Sequence, residues 1–82
     1  MDVSGFTAAE DMEYVKEKIE DLVRRAKRLK ISKLKLTRQI GIDYSTLHRW
    51  ERGESEPLLG KFLRFQQMVE TMEAAEKERQ RR

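Results

Sequence analysis

Apolar residues recur along the first third of the chain at Met12, Val15, Ile19, Leu22, Ala26 and Leu29, alternately three and four apart. That is the period of one helix face, and Tyr14 and Val23 widen it, so the spacing predicts an amphipathic helix. Thr7 followed by Glu10 reads as a capping box, and no Gly or Pro interrupts the stretch from there to Leu29. A second, shorter pattern follows. Ser32 is a good N-cap for a helix through about Gln39, with Leu36 and Ile40 as its inward pair, and Gly41 stands where a chain leaving a helix turns left-handed. Asp43 then caps a third helix over Tyr44 to Arg52, with Leu47 and Trp50 facing inward together and Gly53 ending it. A fourth is expected from Pro57 to about Lys77, on Leu58, Phe62, Phe65, Val69 and Met72, with Leu59, Leu63 and Met68 alongside. Gly60 weakens its first turn slightly, and the charged tail from Glu76 to Arg82 is expected to fray. No stretch alternates as a strand would. The reading is an all-α single domain of about four helices, with a helix-turn-helix over residues 32–53 between two extended terminal helices.

The third helix leaves Tyr44, Ser45, His48, Arg49 and Arg52 pointing outward. Two helices joined by a short Gly-containing turn, the second with an exposed polar and basic face, describe a helix-turn-helix. At this point the residues resemble a known family. Ile31-Ser32-Lys33, Leu36-Thr37, Ile40-Gly41-Ile42-Asp43 and Ser45-Thr46-Leu47-His48-Arg49-Trp50-Glu51-Arg52-Gly53 follow the pattern of the phage repressor and Cro-like helix-turn-helix family, the XRE class. Pro57 and the apolar positions after it match the start of that family's next helix, so the resemblance covers about half the chain. Four positions depart from it. Lys30 stands where the family has Gly, Lys33 where it has Gln, and Thr37 where it has a small Ala. The Arg that often pairs with the Glu of W-E-R-G falls at Ala26, which leaves Glu51 either Arg25 or no partner.

The resemblance implies that the N-terminal part of the third helix enters the major groove of double-stranded DNA. Arg49 can then fork onto guanine O6 and N7, Ser45 onto either base edge, and Tyr44 onto a base or phosphate, with His48 and Thr46 as further base contacts. Thr46 also tucks partly inward in such helices. Lys33 takes the family's phosphate contact through its charge, helped by the helix N-terminal amides. Lys30, Lys35, Arg38 and Arg52 are further phosphate candidates, against the plainer reading of solubilising charges. Trp50 could stack on a base, but its inward relation to Leu47 makes it a core residue.

Charge changes this picture only through its distribution. The net charge is +3, yet residues 1–21 carry −5, residues 22–53 carry +8 and residues 54–82 carry zero. The positive charge sits on and just before the motif, as a footprint for phosphates would. Charged residues make up 40% and hydrophobic ones 38% of the 82 residues, so the core is thin and pairing of chains is a reasonable source of further burial. Met12, Val15, Val69 and Met72 lie far from the motif on the two terminal stripes and are the expected homodimer interface.

With no cysteine, disulfides and thiolate metal sites are excluded. No apolar run approaches a membrane span and no signal-peptide core follows Met1, so a soluble, cytoplasmic chain is expected. The lone histidine, His48, with Glu51 makes at most half a metal site. Asp43, Ser45 and His48 cannot form a catalytic relay, because one short helix points them apart. The expectation is therefore a DNA-binding transcription regulator with no enzymatic activity and no cofactor, most similar to a phage or mobile-element repressor that occupies an operator. Three alternatives stand beside it: a small activator that contacts RNA polymerase or another regulator through its acidic first helix, a DNA-packaging or transfer accessory factor, and a helical protein-interaction module.

Overall fold

The computed structural model describes residues 9–81. Their regular structure is all helical: α1 (Ala9–Arg28), α2 (Lys33–Ile40), α3 (Tyr44–Arg52) and α4 (Leu59–Gln80). This is the four-helix arrangement that the apolar spacing predicts. The Thr7 capping box lies outside the described residues.

Helices α1, α2 and α3 all end in the same way. At the end of α1 the Ile31 amide donates to the Ala26 carbonyl at 3.0 Å and the Lys30 amide to the Lys27 carbonyl at 2.8 Å. The six-to-one bond recurs from Ile42 to Thr37 at 3.0 Å and from Glu54 to Arg49 at 2.9 Å. Such a closure needs a left-handed residue one position before the six-to-one donor, because only then do the last amides turn back onto orphan carbonyls. Gly41 and Gly53 supply it with φ of 85° and 74°. At the end of α1 the same place is held by Lys30, with φ of 65°, where a Cβ costs about 1 kcal/mol or more. Ile31 and Ile42, which follow, turn onto the core, the apolar contact that usually accompanies this motif.

One core joins all four helices: Val15, Ile19, Leu22, Val23 and Ala26 from α1, Leu36 and Ile40 from α2, Leu47 and Trp50 from α3, and Phe62, Phe65 and Val69 from α4. Burying each large side chain contributes about 1.5–3 kcal/mol relative to leaving it in water. Helix α1 packs on the other three, and α2 on α3 and α4. The backbones of α3 and α4 do not approach one another.

The packing corrects the expected interface. Val15 is 2% exposed and Val69 fully buried within this one chain. The terminal stripes meet each other because α1 and α4 pack directly together, so neither valine has surface to offer a second copy. Met12 and Met72 stay partly exposed. The large apolar side chains most exposed on α4 and its N-cap are instead Leu58, Leu59 and Leu63.

The ends of α4 also differ from expectation. Pro57 is buried in the preceding turn, and Leu58 takes the N-cap place with extended backbone (φ −60°, ψ 148°), so the helix begins at Leu59. It runs on to Gln80, past the expected end near Lys77, and its last turns carry polar pairs about one turn apart. Arg79 binds Glu76, Gln80 donates to Glu76 at 3.1 Å, and Arg81 lies 3.7 Å from Glu78.

A polar clamp ties α4 back to α1. Arg25 grips Glu73 with two bonds, Nε to Oε2 at 2.8 Å and a terminal nitrogen to Oε1 at 2.5 Å, and reaches Asp21 at 3.3 Å. The hydrogen bond from Arg25 holds the Glu73 carboxyl below its ordinary range. The bond to Glu73, followed by that to Asp21, raises the already high pKa of the guanidinium. Arg25 is thus committed to α4 and is not the partner of Glu51.

Candidate nucleic-acid interface

Helix α3 is nine residues long, about 13 Å at 1.5 Å per residue. Leu47 is fully buried and Trp50 is 5% exposed, so these two side chains fix the rotation of the helix against α1 and α2. Burial of the indole excludes base stacking by Trp50. Asp43 holds the N-cap with extended backbone, and its carbonyl accepts the Thr46 and Leu47 amides at 3.0 and 3.3 Å, but its carboxylate makes no capping bond. Ser32 does cap α2 with its side chain, accepting the Lys35 amide at 3.2 Å.

With the rotation fixed, Tyr44, Ser45, Arg49 and Arg52 are exposed, and Thr46 and His48 are half-buried. The Tyr44 and His48 rings meet edge to face, 4.8 Å between centroids at 77°, which holds both side chains to one side of the helix. The structure therefore brings the expected base-contact residues onto one open surface, with Thr46 at its inner margin. Arg49 has no ion-pair partner among the described residues. Arg52 lies 3.4 Å from Glu54, with both side chains well exposed, a pair worth little in water.

The phosphate candidates divide. Lys33 does not stand free: its ammonium is 3.1 Å from Glu51 Oε1. His48 Nδ1 lies 3.8 Å from the same oxygen. Glu51 is the least exposed member of this group, at 15% of its side chain, so the carboxylate anchors α2 to α3 and the two basic groups surround it. Lys33 is thus the partner of Glu51, which the sequence reading left to Arg25 or unpaired. Sequence reasoning missed this pair, since the two residues are 18 apart and meet only through the crossing of α2 and α3. Lys30, Lys35 and Arg38 are exposed and make no side-chain ion pair among the described residues. Lys61, for which the sequence gives no signal, donates to the Ile40 carbonyl at 3.2 Å and so closes the C-terminus of α2 with a positive charge.

Thr37, where a small Ala was expected, is 2% exposed. Its hydroxyl donates to the Leu34 carbonyl at 2.8 Å, which offsets the cost of burying the polar group. Among the described residues no cluster of three His, Asp or Glu side chains could hold a metal, and no helix is long and apolar enough to cross a membrane.

No family model matches the chain, and no curated protein or solved structure matches it.

Proposed function

We propose that this chain binds double-stranded DNA through α3 laid in the major groove and regulates transcription from the site it occupies, as a repressor of the phage or mobile-element kind does. The observation that carries the reading is the outer face of α3. Tyr44, Ser45, His48 and Arg49, which makes no ion pair among the described residues, share it, while Leu47 and Trp50 lock the opposite side. A helix can enter a groove about 12 Å wide and reach base edges with three or four side chains. The +8 charge of residues 22–53 supplies attraction to phosphates, with Lys30, Lys35 and Arg38 in no ion pair among the described residues. The reading includes two chains on one operator, with half-site centres about 34 Å apart or a multiple of it.

The test is selection of random duplex DNA by the purified chain, with sedimentation of the complex. Enrichment of an inverted repeat carried by two chains is the expected result. A single unrepeated site carried by one chain would retain DNA binding and remove the pairing. No enrichment at moderate salt would overturn the reading. Exposed Leu58, Leu59 and Leu63 favour the second reading in that event, a helical module that binds another protein.

A further inference from the structure

Leu34 is an anomaly of the short helix α2. The helix turns Leu36, Thr37 and Ile40 into the core, and at 100° per residue Leu34 points away from Leu36 and Ile40, beside Thr37 at the margin of the buried face. It is 51% exposed and contributes little to packing. An isolated exposed leucine is ordinary. This one is not isolated, because across the turn it faces Tyr44, itself 44% exposed. The two side chains, with Ser32 and Lys33, line a shallow cleft of about 410 Å³.

Its location matters more than its size. Tyr44 is the first residue of α3 and its ring meets that of His48 edge to face, so the cleft shares one wall with the outer face of α3. No carboxylate lines it, Lys35 on the same first turn makes no ion pair among the described residues, and Lys33, which lines it, holds its ammonium against Glu51. A polyanion can therefore approach the mouth, while the walls formed by Leu34 and Tyr44 favour an apolar guest. Among the base edges that the major groove displays, one group is apolar, the C5 methyl of thymine.

We propose that the Leu34–Tyr44 cleft takes up the 5-methyl group of a thymine in the bound duplex, which makes Leu34 a specificity-determining residue. The proposal rests on the DNA-binding reading above. Leu34 and the Tyr44 ring shield the methyl from water while Arg49 and Ser45 read neighbouring base edges by hydrogen bonds. Burial of one methyl corresponds to about a four-fold gain in affinity.

The experiment uses the full chain and the duplex enriched by random selection, with each thymine replaced singly by deoxyuridine, which lacks only the methyl. At one thymine per half-site the replacement is expected to weaken binding about four-fold, and Leu34→Ala is expected to bind both duplexes equally. Leu34→Ser, equally small but polar, should behave like Leu34→Ala, with thermal unfolding of both variants confirming that they fold. Tolerance of every deoxyuridine by the parent chain, with selectivity otherwise intact, would overturn the proposal and leave DNA binding standing. Discrimination that survives Leu34→Ala would overturn it too. Failure to enrich any duplex would instead remove the DNA-binding reading itself, and the cleft's role with it.

Discussion

Lys33 and Glu51 meet at 3.1 Å, joining the first residue of α2 to the last turn of α3. A cation placed where phosphate would be expected is thus also the internal partner of a largely buried carboxylate. The two roles compete, and the competition is measurable. Glu51→Gln removes the charge that holds Lys33 and should free the ammonium for DNA. The slope of log affinity against log salt is then expected to steepen by about one contact, together with a loss of about 1 kcal/mol or less in stability. Salt titration of duplex binding and a thermal melt read the two effects separately. An unchanged slope would place Lys33 away from any phosphate.

Arg49 is exposed and makes no ion pair among the described residues, so its loss should not touch the fold. Arg49→Ala is expected to cost about 1–3 kcal/mol of specific binding and to relax preference at one base position, with the melting temperature unchanged. Binding to a panel of single-base operator variants checks this. Equal weakening on every duplex would make Arg49 a phosphate contact.

Lys30 occupies a left-handed place that Gly41 and Gly53 fill in the other two helix ends. Lys30→Gly should stabilise the chain by about 1 kcal/mol, which for a domain of this size raises the melting temperature by about 4–8 °C. Lys30→Ala keeps the Cβ and should give no such gain, so the pair of melts separates backbone strain from loss of charge.

The Arg25–Glu73 clamp makes stability depend on acid. Glu73 has its folded pKa lowered from the ordinary 4.5 by the hydrogen bond from Arg25. Its contribution is therefore fully present above pH 4.5 and is lost as pH falls through the lower folded value. Glu73→Gln should lower stability at neutral pH by about 1 kcal/mol, and the difference from the parent should vanish in strong acid. Urea unfolding at a series of pH values tests it. A difference that persists at low pH would show that packing by the Glu73 stem, not its charge, holds α4.

Much of the arrangement was legible because it is written locally. Ser32, Gly41, Asp43 and Gly53 mark the ends of α2 and α3, and the Leu47–Trp50 spacing settles which side of α3 is open. What could not be read is what depends on how helices cross. A heptad stripe shows that Val15 and Val69 need an apolar partner, but not whether that partner is in the same chain. The Lys33–Glu51 pair lies beyond any helical spacing rule. Lys30 was read as a departure from a sequence pattern, and its positive φ became visible only with the α1 closure in place. Leu34 carried a faint signal, an apolar residue off the Leu36–Ile40 face, but nothing in the sequence placed Tyr44 across from it.

Because α3 leans on α1 and α2 and its backbone does not approach α4, the surface proposed to meet DNA and the long C-terminal helix are separate parts of the fold. Replacing the outward residues 44, 45, 48 and 49 as a set amounts to changing a key's teeth while leaving its bow alone. The same scaffold is then an exchangeable holder for other four-residue faces, and chimeras of that kind should melt close to the parent temperature while selecting different duplexes.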